Sequence, residues 1–362
     1  MERVRLGIVG CGEVVQIIHL PTLAMLPEQF AVTAVCDVSA AVREGMSEWW
    51  GVATRYADYR DLVRSPDVDA VLVTNPHAYH AETTIAACAA GKHVLVEKPM
   101  CLTLADAGAI IAAQAAAGVT VQVGYMRRYA PAFVEACRVV RGEMGGKGGI
   151  RLARVHAVIG RNMLIIGQVA RVLRGDDIPP EVIEAGRELQ GRMVREAIGD
   201  DAPPELQAAY LLLCGLSSHD LSAMRELLGM PRGVLHAAQR QGGRYLTATF
   251  DYGDYVCQFD TGVDDVPDID TTMEVYGATK RLYLRYDSPY VRNLPVRLTT
   301  VEANGAGGTN TQIAHPNWED AFLAEWRAFY ENVTGRKTPK TPPADARQDL
   351  ELFAAMIAHM RG

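Results

Sequence analysis

Residues 71–100 (VLVTNPHAYHAETTIAACAAGKHVLVEKPM) constrain the fold of this chain more than any other stretch. Two short apolar runs flank a segment of helix length, and the second run leads directly into Glu97-Lys98-Pro99. Such alternation predicts parallel strands joined by a helix. Open parallel sheets bind ligands beyond the carboxyl ends of their strands, so Lys98 is placed for chemistry. The alternative is an exposed loop lysine, which is the usual position of this residue type.

The N-terminal segment predicts a dinucleotide site. An apolar run at 4–9 leads into a glycine turn and then into a helical apolar spacing. Gly10 permits a tight turn, and Gly12 lets a pyrophosphate approach the backbone at the helix N-terminus. Val15 replaces the third glycine, so the helix should lie further from the strand or a small neighbour should make room. The predicted cofactor contacts of this turn are Gly10, Gly12, Glu13 and Val14.

Asp37 follows a second predicted strand at 31–36. A carboxylate at this place accepts hydrogen bonds from the adenosine ribose hydroxyls and repels a 2′-phosphate. The order of strand, glycine turn, helix, strand and acid is much more specific than a glycine turn alone. The sequence therefore predicts NAD as the cofactor, with NADP disfavoured.

Composition narrows the class of protein. The 362 residues are enough for two domains, and the net charge of −7 without blocks of like charge disfavours nucleic acid and acidic membranes as partners. Met1-Glu2-Arg3 leads straight into the first predicted strand, and no apolar run reaches the roughly 18 residues of a membrane span. Seven scattered cysteines indicate reduced thiols and neither disulfides nor a metal site. We expect a cytoplasmic protein.

The pattern predicts an α/β fold with two domains. Residues 1–124 should form a Rossmann domain with a doubly wound parallel sheet. Residues 125–362 should form an α+β domain with a large, mostly antiparallel open sheet, a helical insertion at about 163–210, and closing helices whose packing against the first domain stays open. The predicted strands are 4–9, 31–36, 70–73, 93–96, 119–123, 151–159, 234–239, 244–251, 255–262, 271–277, 280–286 and 296–302; the closing helices are 317–334 and 343–360, and 304–311 reads as a mobile loop.

Several motifs occur in a fixed order along the chain. They are GCG…HLP (10–21), Asp37, NP…H (75–80), GKHVLVEKP (91–99), GYMRRY (124–129) and SHDL (218–221). With them the chain resembles the Gfo/Idh/MocA oxidoreductases, relatives of glucose–fructose oxidoreductase and inositol dehydrogenase, over essentially its full length. The resemblance implies hydride transfer between a nicotinamide and a sugar, cyclitol or sugar derivative. It also implies a homodimer or homotetramer formed through the C-terminal sheet. The predicted two-domain arrangement itself leads us to expect the catalytic cleft between the domains.

The resemblance also assigns roles to single residues. Lys98 would lie beside the nicotinamide and the reacting oxygen, and His219 would be the general acid/base. The residues around the cofactor would be Thr74, Asn75, His80, Glu97, Lys98 and Arg127. The alternative for His219 is a histidine held at a helix start, and for His80 a helix-surface residue.

The chemistry of alcohol oxidation suits these two residue types independently. One group must take the hydroxyl proton as the hydride leaves, and a histidine titrates in the right range. A nearby ammonium orients the oxygen and stabilises the developing alkoxide.

One departure from the family pattern concerns His219. Dehydrogenases of this family commonly carry an aspartate four residues earlier, where this chain has Gly215. Asp220 is adjacent, but neighbouring residues do not share a helix face. Tyr210 is another candidate partner. The departure favours an unusual substrate or a shifted division of roles between Lys98 and His219.

A second departure is the helical stretch 163–210, where relatives more often have sheet-like connections. It is either a solvated amphipathic pair of helices or a lid or subunit contact that reshapes the substrate pocket. In the latter case Arg161 and Asn162, at its root, would contact substrate. The full set of candidate substrate contacts is Tyr125, Arg161, Asn162, Ser218 and Asp220.

The sequence thus favours an NAD(P)-dependent oxidoreductase acting on a secondary hydroxyl or carbonyl group. Alternatives within enzymes are a ketosugar reductase and a 3-keto-forming glycoside oxidase of secondary metabolism. An alternative from another class is an NAD-binding regulator without turnover, which the loss of the aspartate favours and the presence of Lys98 and His219 disfavours.

Overall fold

The computed structural model describes residues 3–144 and 149–361, which form two compact units. The expectation about Met1-Glu2 lies outside these residues. The first unit consists of Met1–Gly124, Ala170–Asp200 and Glu325–Leu350, and the second of Tyr125–Val169, Asp201–Ala324 and Glu351–Gly362. The sequence analysis placed 170–200 in the second domain and left open whether the closing helices pack on the first. In the structure, Ala170–Asp200 and Glu325–Leu350 are parts of the first unit.

The first unit is built on a parallel sheet with the order β3-β2-β1-β4-β5-β6. Its strands are β1 Val4–Val9, β2 Phe30–Cys36, β3 Thr54–Tyr56, β4 Ala70–Val73, β5 His93–Glu97 and β6 Val121–Gly124. The strand order reverses between β1 and β4, which is the point where sheets of this type bind ligands. The Rossmann prediction is confirmed, although β3 was missed because it is short and mostly exposed.

The helices alternate with these strands and then dominate the middle of the chain. They are α1 Leu20–Leu23, α2 Ala40–Trp50, α3 Tyr59–Arg64, α4 His80–Ala89, α5 Leu104–Ala117, α6 Pro131–Gly142, α7 Asn162–Val169, α8 Pro180–Ile198, α9 Pro204–Leu212, α10 Ser218–Leu228, α11 Ala321–Gly335 and α12 Pro343–Met360. Their ends follow local chemistry. Ser39 caps α2 by accepting a hydrogen bond from Val42 N, and Gly51, at φ 66°, ends it.

Val15 is accommodated by a change of helix type. It is fully buried and begins a π-helix, Val15–His19, which precedes α1. A π-helix has a wider turn than an α-helix. The residue that replaces the third glycine therefore lies in a locally widened helix.

The second unit is built on a sheet with the order β14-β13-β12-β11-β7-β10-β9-β8. Its strands are β7 Ile150–Gly160, β8 Gly233–Arg240, β9 Tyr245–Asp251, β10 Val256–Asp264, β11 Ile269–Gly277, β12 Lys280–Tyr286, β13 Arg297–Ala303 and β14 Thr309–Ala314. Among the described strand pairs of this second sheet, only β7 and β10 are parallel. The mostly antiparallel sheet is as predicted.

The predicted mobile loop at 304–311 is partly wrong. Thr309, Asn310 and Thr311 belong to β14, where they pair with Ala303, Glu302 and Val301 of β13. This edge strand is almost entirely exposed and polar, so it lacks the alternation that marks a half-buried strand. Backbone pairing alone defines it.

Aromatic packing holds part of the closing helices on the first sheet. The Phe30 ring of β2 lies 5.1 Å from the Trp326 ring and 5.7 Å from the Tyr330 ring, both edge to face. Trp326 and Phe329 are fully buried. This cluster explains why Glu325–Leu350 belongs to the first unit.

Candidate active site

The glycine turn lies where two strand ends approach each other. Gly10 has φ 87°, and a Cβ on it would lie 2.5 Å from Asn75 N and 2.7 Å from the carbonyl carbon of Thr74. The Thr74 hydroxyl donates a hydrogen bond to Gly10 O at 2.6 Å. Only glycine fits the first position, as its φ also indicates.

Gly12 differs from Gly10 because a Cβ there would meet nothing within 4 Å. Beside this open space the helix begins, and its first backbone N–H groups have no acceptor within the helix. Open backbone at a helix N-terminus is what a pyrophosphate needs. The turn therefore fits a dinucleotide.

Asp37 follows β2 and is anchored by the backbone. Its Oδ2 accepts a hydrogen bond from Cys11 N at 2.8 Å, and its Oδ1 accepts one from Ser39 N at 2.9 Å. The carboxylate is half-buried, and each oxygen can accept further hydrogen bonds. It is thus oriented beside the glycine turn with capacity for ribose hydroxyls.

Glu97, the last residue of β5, is a buried carboxylate with a defined set of donors. Trp326 Nε1 donates to His19 Nδ1 at 3.1 Å, so the other ring nitrogen of His19 carries the proton that faces Glu97 Oε1 at 3.0 Å. Glu97 Oε2 accepts from the backbone N–H of Lys98 at 3.1 Å. Burial opposes ionisation, but the His19 hydrogen bond and the Lys98 charge outweigh it and lower the pKa of Glu97.

Lys98 is half-buried at the carboxyl end of β5, as the sequence predicts. The positive charge of Lys98 influences the pKa of the nearby His77. Burial, then His80, then Lys98 lower the pKa of His77 to about 3, so this ring is neutral at physiological pH. His77 was missed by the sequence reasoning, although it lies within the NP…H motif.

His80 is 1% exposed and joins two loops. Its Nδ1 lies 2.7 Å from Pro99 O and its Nε2 lies 2.7 Å from Asn75 O. Burial lowers the pKa of His80. Because both ring nitrogens face backbone carbonyls, the imidazole positions the loops that carry Asn75 and Lys98.

Arg127 and Asp220 form a buried ion pair in the second unit. Arg127 Nη1 bonds Asp220 Oδ1, the two residues are 6% and 0% exposed, and the guanidinium lies 5.0 Å from the centre of the Tyr286 ring. Tyr286 donates to Arg127 O at 3.3 Å. Burial outweighs the Arg127 charge and raises the pKa of Asp220.

His219 is half-buried near the start of α10, directly after a π-helix, Leu213–Ser217. The Ser218 hydroxyl donates to Cys214 O at 2.7 Å. π-helical turns shift side-chain register and occur often at functional sites. The helical register before His219 is therefore not the regular one on which the Gly215 comparison rests.

The comparisons with known proteins agree with this fold. Residues 4–125 match the model of the Gfo/Idh/MocA oxidoreductase family with an NAD-binding Rossmann fold. The matched residues span the whole parallel sheet of the first unit, from β1 to β6.

Two relatives and one solved structure illustrate the likeness. Inositol 2-dehydrogenase of Salmonella paratyphi B is 36% identical over 38% of this chain and 42% of its own length. Myo-inositol 2-dehydrogenase of Thermotoga maritima is 25% identical over 96% of this chain and 93% of its own. Aldose-aldose oxidoreductase of Caulobacter crescentus, solved with glycerol, has a TM-score of 0.73 and 21% identity, over 99% of this chain and 98% of that chain. The match to the Salmonella enzyme thus spans less than half of either chain.

The remaining predicted site residues lie in varied surroundings. Glu13 forms an ion pair with Arg174 at 2.7 Å, and Val14 lies at the start of the π-helix. Asn75 Nδ2 donates to the Thr83 hydroxyl at 2.9 Å. The predicted substrate contacts of the second unit are mixed. Tyr125 and Ser218 are buried, Asp220 is bound to Arg127, Arg161 is exposed and paired with Asp265, and Asn162 begins α7.

Within residues 3–144 and 149–361, no group of three or more His, Cys, Asp or Glu side chains is arranged to hold a metal ion. Across the same residues, no helix has both the length and the apolar character needed to cross a membrane.

Proposed function

We propose that this chain is an NAD-dependent oxidoreductase that transfers a hydride between nicotinamide and a secondary hydroxyl or carbonyl of a sugar, cyclitol or sugar derivative. The observation that carries the proposal is the edge of the first sheet where Gly10, Asp37 and Lys98 follow β1, β2 and β5. Relatives named for inositol and aldose substrates support the substrate class.

The glycine turn and Asp37 would hold the dinucleotide. The open backbone at Gly12 and the first amides of the helix, at Glu13 and Val14, would bind the pyrophosphate. The carboxylate of Asp37 would accept hydrogen bonds from the adenosine ribose hydroxyls, which favours NAD. When bound, the nicotinamide accepts or supplies the hydride.

Lys98 and His219 would carry out the proton chemistry and charge stabilisation. The Lys98 ammonium would donate a hydrogen bond to the reacting oxygen and stabilise negative charge on it. His219 would take the hydroxyl proton during oxidation and return it during reduction. Glu97 supports the first role because it fixes the backbone of Lys98.

The test is an absorbance assay of the reduced nicotinamide. The full chain with NAD is offered inositols, other cyclitols, aldoses and glycosides, and the reverse reaction is run with NADH and the corresponding ketones. We expect reduction of NAD with at least one secondary alcohol of this set. NADH binding by titration without turnover across the set would contradict the proposal.

A second candidate function is an NAD-binding regulator without turnover. It is favoured because Gly215 stands where family dehydrogenases commonly have an aspartate and because Asp220 is bound to Arg127. A sugar that changes NADH affinity but is never oxidised or reduced would support it.

A further inference from the structure

The segment that links α7 to α8, residues 170–178, crosses part of the first unit and is here called the strap. The sequence analysis placed the strap in a helical insertion of the second domain. In the structure, hydrogen bonds join the strap to the region of the glycine turn. Leu173 N donates to Gln16 Oε1 at 2.8 Å, and Gln16 Nε2 donates to Leu173 O at 3.0 Å and to Cys11 O at 2.7 Å. A buried glutamine thus ties the strap to the turn expected to bind pyrophosphate.

The other end of the strap reaches the start of α2. The Ser39 hydroxyl donates a hydrogen bond to Asp177 Oδ1, and Ala41 N donates to Asp177 Oδ2 at 3.0 Å. These hydrogen bonds, that of Ser39 above all, lower the pKa of Asp177, so it is negatively charged at neutral pH. The carboxylate therefore occupies the place at this helix N-terminus where an anion would be bound.

Ser39 connects this carboxylate to the predicted ribose site. Its hydroxyl serves Asp177, while its backbone N–H donates to Asp37 Oδ1 at 2.9 Å. A 2′-phosphate on the ribose held by Asp37 would need donors here, from the hydroxyl, the helix amides or a nearby arginine. Ser39 and Ala41 already serve Asp177, and Arg43 donates to Asp37 O at 2.7 Å.

We infer that Asp177 is a specificity-determining residue, a second carboxylate that the strap places beside Asp37 to exclude the 2′-phosphate of NADP. The inference rests on the proposed dinucleotide function and deepens it. Discrimination between the two cofactors would then depend on a residue that lies 138 positions after Ser39 in the sequence. A doubly charged phosphate entering this place would meet two carboxylates and no unoccupied donor of Ser39 or Ala41.

The test is a fluorescence titration of the full chain with NADH and with NADPH, which needs no substrate. The variants are Asp177→Ala and Asp177→Asn, and the matched control is Asp176→Ala, which removes the same charge from the neighbouring exposed position. We expect the wild type to prefer NADH. Both Asp177 variants should tighten NADPH binding about tenfold relative to NADH, because they remove one like charge. The control should keep the wild-type ratio.

The outcomes separate the two claims. Wild-type protein that binds neither dinucleotide would overturn both the proposed function and this inference. Asp177 variants whose ratio equals that of Asp176→Ala would overturn the inference alone. Wild-type protein that binds NADPH as tightly as NADH would overturn the inference and the proposed preference for NAD, but not the proposed hydride transfer. The Asp177→Asn variant keeps the shape of the strap and decides the question if Asp177→Ala melts at a much lower temperature.

Discussion

Each of the two proposed catalytic residues has a carboxylate as its chain neighbour, and the protein treats the two differently. Glu97, before Lys98, is bound through His19 and Trp326 and has a lowered pKa. Asp220, after His219, is bound by Arg127, has a raised pKa, and its Oδ2 has no hydrogen-bond partner among the described residues.

The difference shows what each carboxylate can do for its neighbour. Glu97 accepts the backbone N–H of Lys98 and holds its negative charge close to the lysine. Asp220 instead holds a charge of the opposite sign through its Oδ1, because Arg127 bonds that oxygen and lies 5.0 Å from the centre of the Tyr286 ring. The first carboxylate supports the proposed chemistry directly, whereas the second stabilises the unit that carries His219.

The largest effect is expected for Arg127→Ala. It leaves Asp220 buried without a compensating charge, and we expect the free energy of unfolding to fall by about 3–5 kcal/mol. Urea denaturation measures this loss. Arg138→Ala, which removes the exposed ion pairs with Glu135 and Glu143, should cost no more than about 1 kcal/mol. An equal loss of unfolding free energy in the two variants would show that Arg127 does not compensate a buried charge on Asp220.

The next effect is expected for His219→Asn. If the imidazole transfers the proton without help from Asp220, turnover should fall about a hundredfold while NADH affinity is retained. The limb of the pH–rate profile that belongs to the imidazole should also disappear. Steady-state assays and titrations measure both, with the exposed His236→Asn as control. A variant with the wild-type profile would remove His219 from the mechanism.

A smaller effect is expected for Glu97→Gln. Because the folded pKa of Glu97 is lowered, its stabilisation is present above the unfolded pKa of about 4.3 and is lost as the pH falls through the folded value. We expect a loss of about 2 kcal/mol at pH 7 that narrows below pH 4. Unfolding measured across this range tests the sign. A loss that is independent of pH would show that the charge of Glu97 is immaterial.

A change of opposite sign is expected for Glu325, a third buried carboxylate, and it is small within any single pH unit. Neither carboxyl oxygen has a hydrogen-bond partner among the described residues, and burial, with the charge of Glu97, raises its pKa far above the ordinary range. The group is protonated when folded and ionises on unfolding, so its cost grows as the pH rises above about 4.3.

Glu325→Gln should therefore gain stability relative to wild type by about 1.4 kcal/mol per pH unit between pH 5 and pH 7. The exposed Glu331→Gln, on the same helix, should show no such slope. A flat difference for Glu325→Gln would mean that this carboxyl is ionised in the folded protein.

Much of the fold could be predicted because its signals are local. The bounds of β1, β4, β12 and α12 coincide with the predicted ones, since an apolar run, an alternating pattern or a proline marks each of them. The short exposed strand β3 and the polar edge strand β14 carry no such pattern. The strap was assigned to the wrong domain because its contacts, such as Leu173 with Gln16, join residues 157 apart.

The candidate site divides in the same way. The positions of Gly10, Asp37 and Lys98 could be predicted, because each of them follows directly on a strand that the sequence pattern marks. Pairings between distant residues, such as Arg127 with Asp220, and the position of Asp177 against Ser39 could not be predicted, because they depend on tertiary packing. The contacts of the buried His80 imidazole with the carbonyl oxygens of Asn75 and Pro99 likewise could not be predicted from the residues around it in the sequence.

The most direct test of the proposed mechanism compares Lys98→Met with wild type on the best substrate of the panel. NADH affinity and turnover are measured on the same preparations, with the exposed Lys337→Met as control. We predict that turnover falls about a thousandfold while NADH affinity changes by no more than about threefold, since Lys98 would act on the reacting oxygen. A Lys98→Met variant that turns over at the wild-type rate would contradict the central role of this lysine.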